Sequence, residues 1–339
     1  MTKLVAAFAL LCSALPTAAQ LKTLEARTRV PTTVAFDENR TFALPTLCDE
    51  HGRSYVKLAK PGRGMIGPLL RLSRKGELEA EFDTSGELVN IYAARPNGGV
   101  AMLHMEENGI TKVVDNFSPN GTRESAVRLD QPPIRFFPMQ IAVFPTGEIL
   151  VAGLQYHPGY KASTAIYDST GHLLKQLALD GDLEIEHRID AGDPKYAGSE
   201  QERNREISQS LAITADDGLV YLMRATSPAT VYAISSAGEV VHKIVVNAPT
   251  ETGLPSFGVR VVKNKLVIKF YRTCDGRLDH NCRGAAYTVL DAVTGKRFAD
   301  YEAESGAVGP LACYAPDSDR FYTFTIEQHR LEIVESQAK

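Results

Sequence analysis

Apolar and polar positions alternate over short runs along most of this chain, and the runs come in pairs. In Ile141–Gly153 (IAVFPTGEILVAG) an apolar, β-branched run meets Pro-Thr-Gly and then resumes as EILVA. A few residues on, Thr164–Leu179 (TAIYDSTGHLLKQLAL) repeats the form, with Asp168 entering the turn and Gly171 placed where a positive φ is needed. Neither run carries helical periodicity, and loops of three to five residues containing glycine are ordinary hairpin connections. Two hairpins in series give a four-stranded antiparallel meander. Its apolar face has nothing to cover it, so the unit predicts neighbours.

The neighbours are the same pattern rewritten. Outer-hairpin glycines recur at Gly76, Gly121, Gly171, Gly238 and Gly295, separated by 45, 50, 67 and 57 positions. Inner hairpins fall at Asn97-Gly98, Gly147, Gly218, Lys263-Asn264 and Asp317–Asp319. A four-stranded unit recurring at this period predicts blades packed face to face around an axis. The spans read as Thr41–Leu78, Leu88–Leu129, Met139–Leu179, Leu211–Val246, Phe257–Tyr301 and Pro310–Val334. The expected fold is therefore all-β, a six-bladed β-propeller of four-stranded antiparallel blades in one domain over residues 20–339. The last unit shows three strands, and Arg29–Phe36 (RVPTTVAF) is expected to supply the fourth, with Pro31 confined to an edge. Between the third and fourth units the spacing stretches. The charged insertion at about 180–210 is expected at a rim, with a short helix at Glu200–Ile207.

Residues 1–19 change the picture at the N-terminus. Lys3, the apolar run Leu4–Leu11 and the small residues Thr17-Ala18-Ala19 read as a signal peptide, so the mature chain is expected to be secreted or periplasmic. The alternative of a lipid anchor at Cys12 fits less well, because Leu10 and Leu11 precede it. No later run approaches the length of a membrane span. Net charge is −4 with both signs interspersed, which argues against a nucleic-acid partner. Four cysteines remain after Cys12 leaves, an even number that suggests disulfides with three connectivities open. Cys274–Cys282 and Cys48–Cys313 are the favoured pairs. Asn39, Asn116 and Asn120 head glycosylation sequons.

The hairpins FDTSGELV (Phe82–Val89), VFPTGEILVA (Val143–Ala152), YDSTGHLL (Tyr167–Leu174) and LDAVTGKRF (Leu290–Phe298) resemble those of six-bladed propellers of the NHL and TolB-like kind. The resemblance covers nearly the whole mature chain and rests on turn motifs. It implies a superfamily of lactonases, lyases, quinoprotein dehydrogenases and protein-binding scaffolds, so it implies no single activity. The chain has no tryptophan, against the Asp-box of sialidases and the WD repeat. A lactonase-like metal site would draw on Glu106, Asn108 and Asp275, and no two histidines have ligand-like spacing. No cofactor is expected, with a divalent cation in the central channel left open.

In such folds ligands meet the face made by the loops between second and third strands and between blades, here termed the upper face. Its candidate ligand-binding residues are Arg135, Tyr156, His157, Tyr160, Arg224 and Arg272, with His104, Glu106, Asp275, His280, Gln328 and His329 on neighbouring loops. Three arginines entering from different blades are fork-like donors suited to carboxylate or phosphate. The expected function is an exported, monomeric, non-catalytic scaffold binding a protein, a peptide or a small anion. The alternative is a hydrolase or lyase with a metal or Arg/His site in the channel.

Overall fold

The computed structural model describes residues 21–35, 41–59, 67–84, 91–106, 110–130, 136–155, 161–179, 210–226, 228–249, 253–272, 284–304 and 308–339. Among them there are strands and connections and no α-helix. None therefore forms a helix long and apolar enough to cross a membrane. The signal-peptide region, most of the 180–210 insertion and Cys274 and Cys282 lie outside the described residues.

The chain opens with β1 (Leu21–Ala35). Sheet 1 holds β2 (Thr41–Cys48), β3 (Ser54–Ala59), β4 (Leu69–Leu72) and β5 (Leu78–Phe82). Sheet 2 holds β6 (Ile91–Ala94), β7 (Val100–Met105), β8 (Lys112–Phe117) and β9 (Arg123–Leu129). Sheet 3 holds β10 (Phe136–Val143), β11 (Ile149–Gln155), β12 (Lys161–Tyr167) and β13 (Leu173–Leu177). Sheet 4 holds β14 (Leu211–Thr214), β15 (Val220–Arg224), β16 (Ala229–Ile234) and β17 (Val240–Val246). The rest are β18 (Gly253–Val262), β19 (Lys265–Arg272), β20 (Ala285–Asp291), β21 (Arg297–Ala303), β22 (Leu311–Ala315), β23 (Arg320–Glu327) and β24 (Arg330–Ala338). With β1 they form one eight-stranded sheet, in the order β18-β19-β20-β21-β1-β24-β23-β22.

The expectation of six separate sheets thus meets a difference: four are separate and the last two groups of strands are joined. The cause is β1. It pairs antiparallel with β24 over most of its length, and its first residues, Leu21 to Leu24, run parallel to Asp300–Ala303 of β21. An outer strand presents unpaired N–H and C=O groups, and a 15-residue strand is long enough to satisfy two such edges in turn. Pro31 sits past the stretch that meets β21, where β24 is the one strand laddered to β1 and a missing N–H costs little.

Apolar side chains pack between successive sheets, in a propeller-like arrangement. Tyr55 and Phe82 of sheet 1 meet Met102 and Phe117 of sheet 2. Leu103 and Val114 meet Ile141 and Val151 of sheet 3, and Leu150 and Ile166 meet Leu222 and Tyr232 of sheet 4. Met223 and Val231 then meet Val259 and Ile268. Phe321 stands 5.0 Å from each of the rings of Tyr287, Tyr301 and Tyr314, and Phe324 and Ile333 return to Val56 and Leu70 of sheet 1. The first strands meet in the same order. β2 contacts β6, and the contacts pass through β10, β14, β18 and β22 back to β2. This packing, apolar side chains inward on both faces of each sheet, explains why so many strands read as continuous apolar runs.

Outer hairpins seat on the preceding outer strand. Gly171, between β12 and β13, has φ +95°, and a Cβ there would collide with the carbonyl of Arg128 on β9. Its own carbonyl accepts from the Asp130 N–H at 2.8 Å. Gly218 also has positive φ, +83°, but open space around it. Gly218→Ala should therefore cost about 1 kcal/mol from backbone strain alone. Gly171→Ala should cost about 3 kcal/mol, because sheet 3 must also shift from sheet 2. Urea unfolding of both variants checks the difference, and equal losses would contradict the seating.

Candidate functional site

Six cations are buried among the described residues, Lys57, Arg71, Lys112, Arg224, Arg260 and Lys269, against two buried carboxylates, Asp115 and Asp300. Buried charge is costly unless it is paired or hydrogen-bonded: Arg71 pairs with Glu79 at 3.2 Å, and Arg260 and Lys269 donate to backbone carbonyls. Four of the six lie toward the upper face. Lys57 is on β3, Lys112 is the first residue of β8, Arg224 the last of β15, and Lys269 is three residues from the end of β19.

Strand alternation aims each of them between sheets. Lys57 shares a face with Tyr55; its ammonium donates to the carbonyl of Gly67 at 2.5 Å and to the Thr84 hydroxyl. Arg224 shares a face with Val220 and Leu222 and is fully buried, donating to the Thr164 hydroxyl on β12 at 2.9 Å. Lys269 shares a face with Val267. It donates to the carbonyl of Gly309 and lies 4.6 Å from the centre of the Tyr271 ring. Burial lowers the Lys112 amine from its usual range. Burial, with Arg260 nearby, lowers that of Lys269 to about 7.

Arg260 on β18 reaches across to β2 and β22. Its guanidinium donates to the carbonyls of Val259 at 2.6 Å, Thr46 at 2.7 Å, Ala312 at 3.0 Å and Leu311. Four carbonyls from β2, β18 and β22 thus stand where a carboxylate would be expected. The Thr46 hydroxyl donates to Leu311 O at 2.8 Å, and Cys48 is disulfide-bonded to Cys313 across the same pair of strands.

Between sheets 1 and 2 lies an open groove of about 280 Å³ whose lining includes Asp83, Thr84, Asp115 and Arg123. Asp115 accepts from Arg123 at 2.5 Å and stands 3.6 Å from His104. Among the described residues no three His, Cys, Asp or Glu side chains gather as a metal site. Glu106 accepts from Arg128 at 2.7 Å. Gln328 and His329 form the positive-φ turn between β23 and β24.

Of the sequence-derived ligand residues, Arg224 lies among the described residues and faces sheet 3. Arg135, Tyr156, His157 and Tyr160 lie outside the described residues, as do Asn108, Asp275, His280 and the side chain of Arg272. The convergence of the three arginines therefore falls outside what is described. Lys57, Lys112, Arg260 and Lys269 were not expected. Their signal is a cation at an inward position of an apolar strand, in SYVKLA, KVVDNF, GVRVV and LVIKFY.

The lowered Lys269 value couples stability to pH. With a folded value of about 7 against the usual 10.5, the unfolded chain binds more protons between those pH values. Stability should rise with pH across that window, by up to about 1.4 kcal/mol per unit. Lys269→Met should be more stable than the parent at about pH 7 and lose that advantage as pH approaches 10.5. Urea titrations across the window measure it.

No protein-family model and no curated protein matches this chain. Similar solved structures include a protein of unknown function from Bacteroides caccae, at 11% identity over 86% of this chain and 97% of that one, TM-score 0.48. Another is the Dos1 propeller, at 8% identity over 90% of this chain and 82% of that one, TM-score 0.42.

Proposed function

We propose that the protein is an exported six-bladed β-propeller that acts as a binding scaffold and takes an anion, small or carried on a peptide or protein, at its upper face. The eight-stranded sheet is read as two blades joined edge to edge by β1, and the closed sequence of first-strand contacts supports that count. Export rests on the reading of residues 1–19 and on the disulfide, a bond that persists in oxidising compartments. The observation that carries the binding reading is the gathering of four buried basic side chains toward one face.

An anion reaching Lys269, which donates to the Gly309 carbonyl, would add a charge-assisted hydrogen bond, and Arg224 and Lys57 lie toward the same face. Arg135, Tyr156, His157, Tyr160 and Arg272 would complete the site from the adjoining loops. Binding should also return Lys269 toward its charged form, so protons are taken up near neutral pH. Calorimetric titration of the mature protein with phosphate and with citrate, in buffers of different ionisation enthalpy, tests both points. The expected result is binding with proton uptake, weakened about tenfold or more in Arg224→Gln. Unchanged anion affinity in that variant would overturn the reading.

A further inference from the structure

Sheet 4 ends at its outer edge in β17, which among the described residues ladders with β16 alone. Open strand edges are usually blunted by polar side chains, as on β9 with its exposed Arg123, Glu124 and Ser125. β17 instead reads VVHKIVV, and Val240, Val241 and Val245 are 45%, 46% and 54% exposed. The hairpins in contact with it extend the patch. Its own Gly238 turn packs on Lys175 and Leu177 of β13, beside exposed Leu174, and the Gly295 turn packs on Ile244, bringing exposed Val293 and Phe298. Six of the eleven large apolar side chains exposed among the described residues therefore gather on β17 and its two neighbours, a concentration that marks a contact surface.

The charges along this edge are mostly positive. Lys243 is exposed in mid-strand. Lys175 donates to the carbonyl of Gly238 at 2.9 Å before the strand, and Arg297 to that of Asn247 at 2.7 Å after it, with Lys296 exposed next to Arg297. Asp300 is engaged by Arg297 at 2.9 Å, and Asp291 accepts from the N–H groups of Val293 and Thr294. Glu239 is the exposed carboxylate at the strand's entry. A second copy of the chain fits this edge poorly. Antiparallel pairing centred on Lys243 would match valine with valine but set Lys243 against its own copy, and like charges directly opposite are destabilising.

We infer that β17 takes an extended segment of another protein as an added strand of sheet 4, one in which β-branched residues alternate with glutamate or aspartate. The open backbone edge would supply the ladder, the exposed valines the apolar contacts, and Lys243 with its basic neighbours the partners for the carboxylates. This surface is on the outer rim, apart from the upper-face anion site.

The test is titration of the mature protein with three blocked peptides: alternating valine and glutamate, the same with lysine for glutamate, and the first with a central proline. NMR shifts and amide exchange report the site. The glutamate peptide should bind about tenfold more tightly than the lysine peptide and slow amide exchange along β17, and proline should abolish binding by interrupting the ladder. Lys243→Glu should remove the preference for glutamate while leaving the unfolding midpoint in place, since the side chain is exposed. The double variant Val241→Lys, Val245→Lys should bind none of the peptides. Arg224→Gln should leave peptide binding unchanged, so failure here and failure of the anion site are told apart. Equal binding of the glutamate and lysine peptides, undiminished binding of the proline peptide, shifts confined to other surfaces, or no binding would each overturn the inference. So would a concentration-dependent dimer that the valine double variant disperses, because the edge would then belong to a second copy.

Discussion

Replacing Cys48 and Cys313 by serine should lower the unfolding midpoint by about 7 °C. The two residues are 265 positions apart, and the bridge joins β2 to β22, the meeting point of the first and last sheets. Cross-linking so long a loop removes freedom from the unfolded chain worth about 5 kcal/mol in the chain-entropy model. Spread over the unfolding entropy of a chain of about 320 residues, that is the shift stated. Reductant should move the parent protein to the same midpoint and leave the double-serine variant where it is. Differential scanning calorimetry with and without reductant measures both. A parent insensitive to reductant would show that the ring closes without the bridge.

Arg260→Met should be comparably damaging, at about 4 kcal/mol. Methionine fills much of the space but donates nothing, leaving carbonyls on β2, β18 and β22 buried and unmet at roughly 1–3 kcal/mol each before relaxation. The loss should not add simply to that of the disulfide. Both hold β2 against β22, so once one is gone the seam can open and the other matters less. A double-mutant cycle by urea unfolding should show coupling of about 1 kcal/mol or more. Strict additivity would place Arg260 outside the seam.

The repeat was legible because turn chemistry is local. Gly76, Gly121, Gly171, Gly238 and Gly295 all have positive φ, as do Lys263 and Asn264, and each lies in the hairpin its neighbouring residues predict. The Cys48–Cys313 bridge could be favoured from parity and from the need to close a ring. The joining of the last two groups of strands could not. Whether Leu21–Leu24 meets a second strand depends on the twist of β21, and that is set by packing 280 positions away.

The site was legible only in part, for the same reason. A face could be chosen from topology, and Arg224 lies at it, but its burial against Thr164 depends on how sheet 3 abuts sheet 4. Arg260 gave no local hint of its role, since Thr46 and Leu311 are remote in sequence. Inward-facing lysines in apolar strands were the signal passed over. Such a residue breaks the strand pattern at a cost, and places where local pattern and global fold disagree are where function concentrates.

Whether the buried cations toward the upper face hold an anion is read most directly by diffraction from crystals of the mature protein soaked in tungstate. An anomalous peak is expected within contact distance of Arg224, Lys57 or Lys269, and it should be absent from crystals of Arg224→Gln. Peaks confined to exposed lysines, or to the opposite face, would overturn that reading.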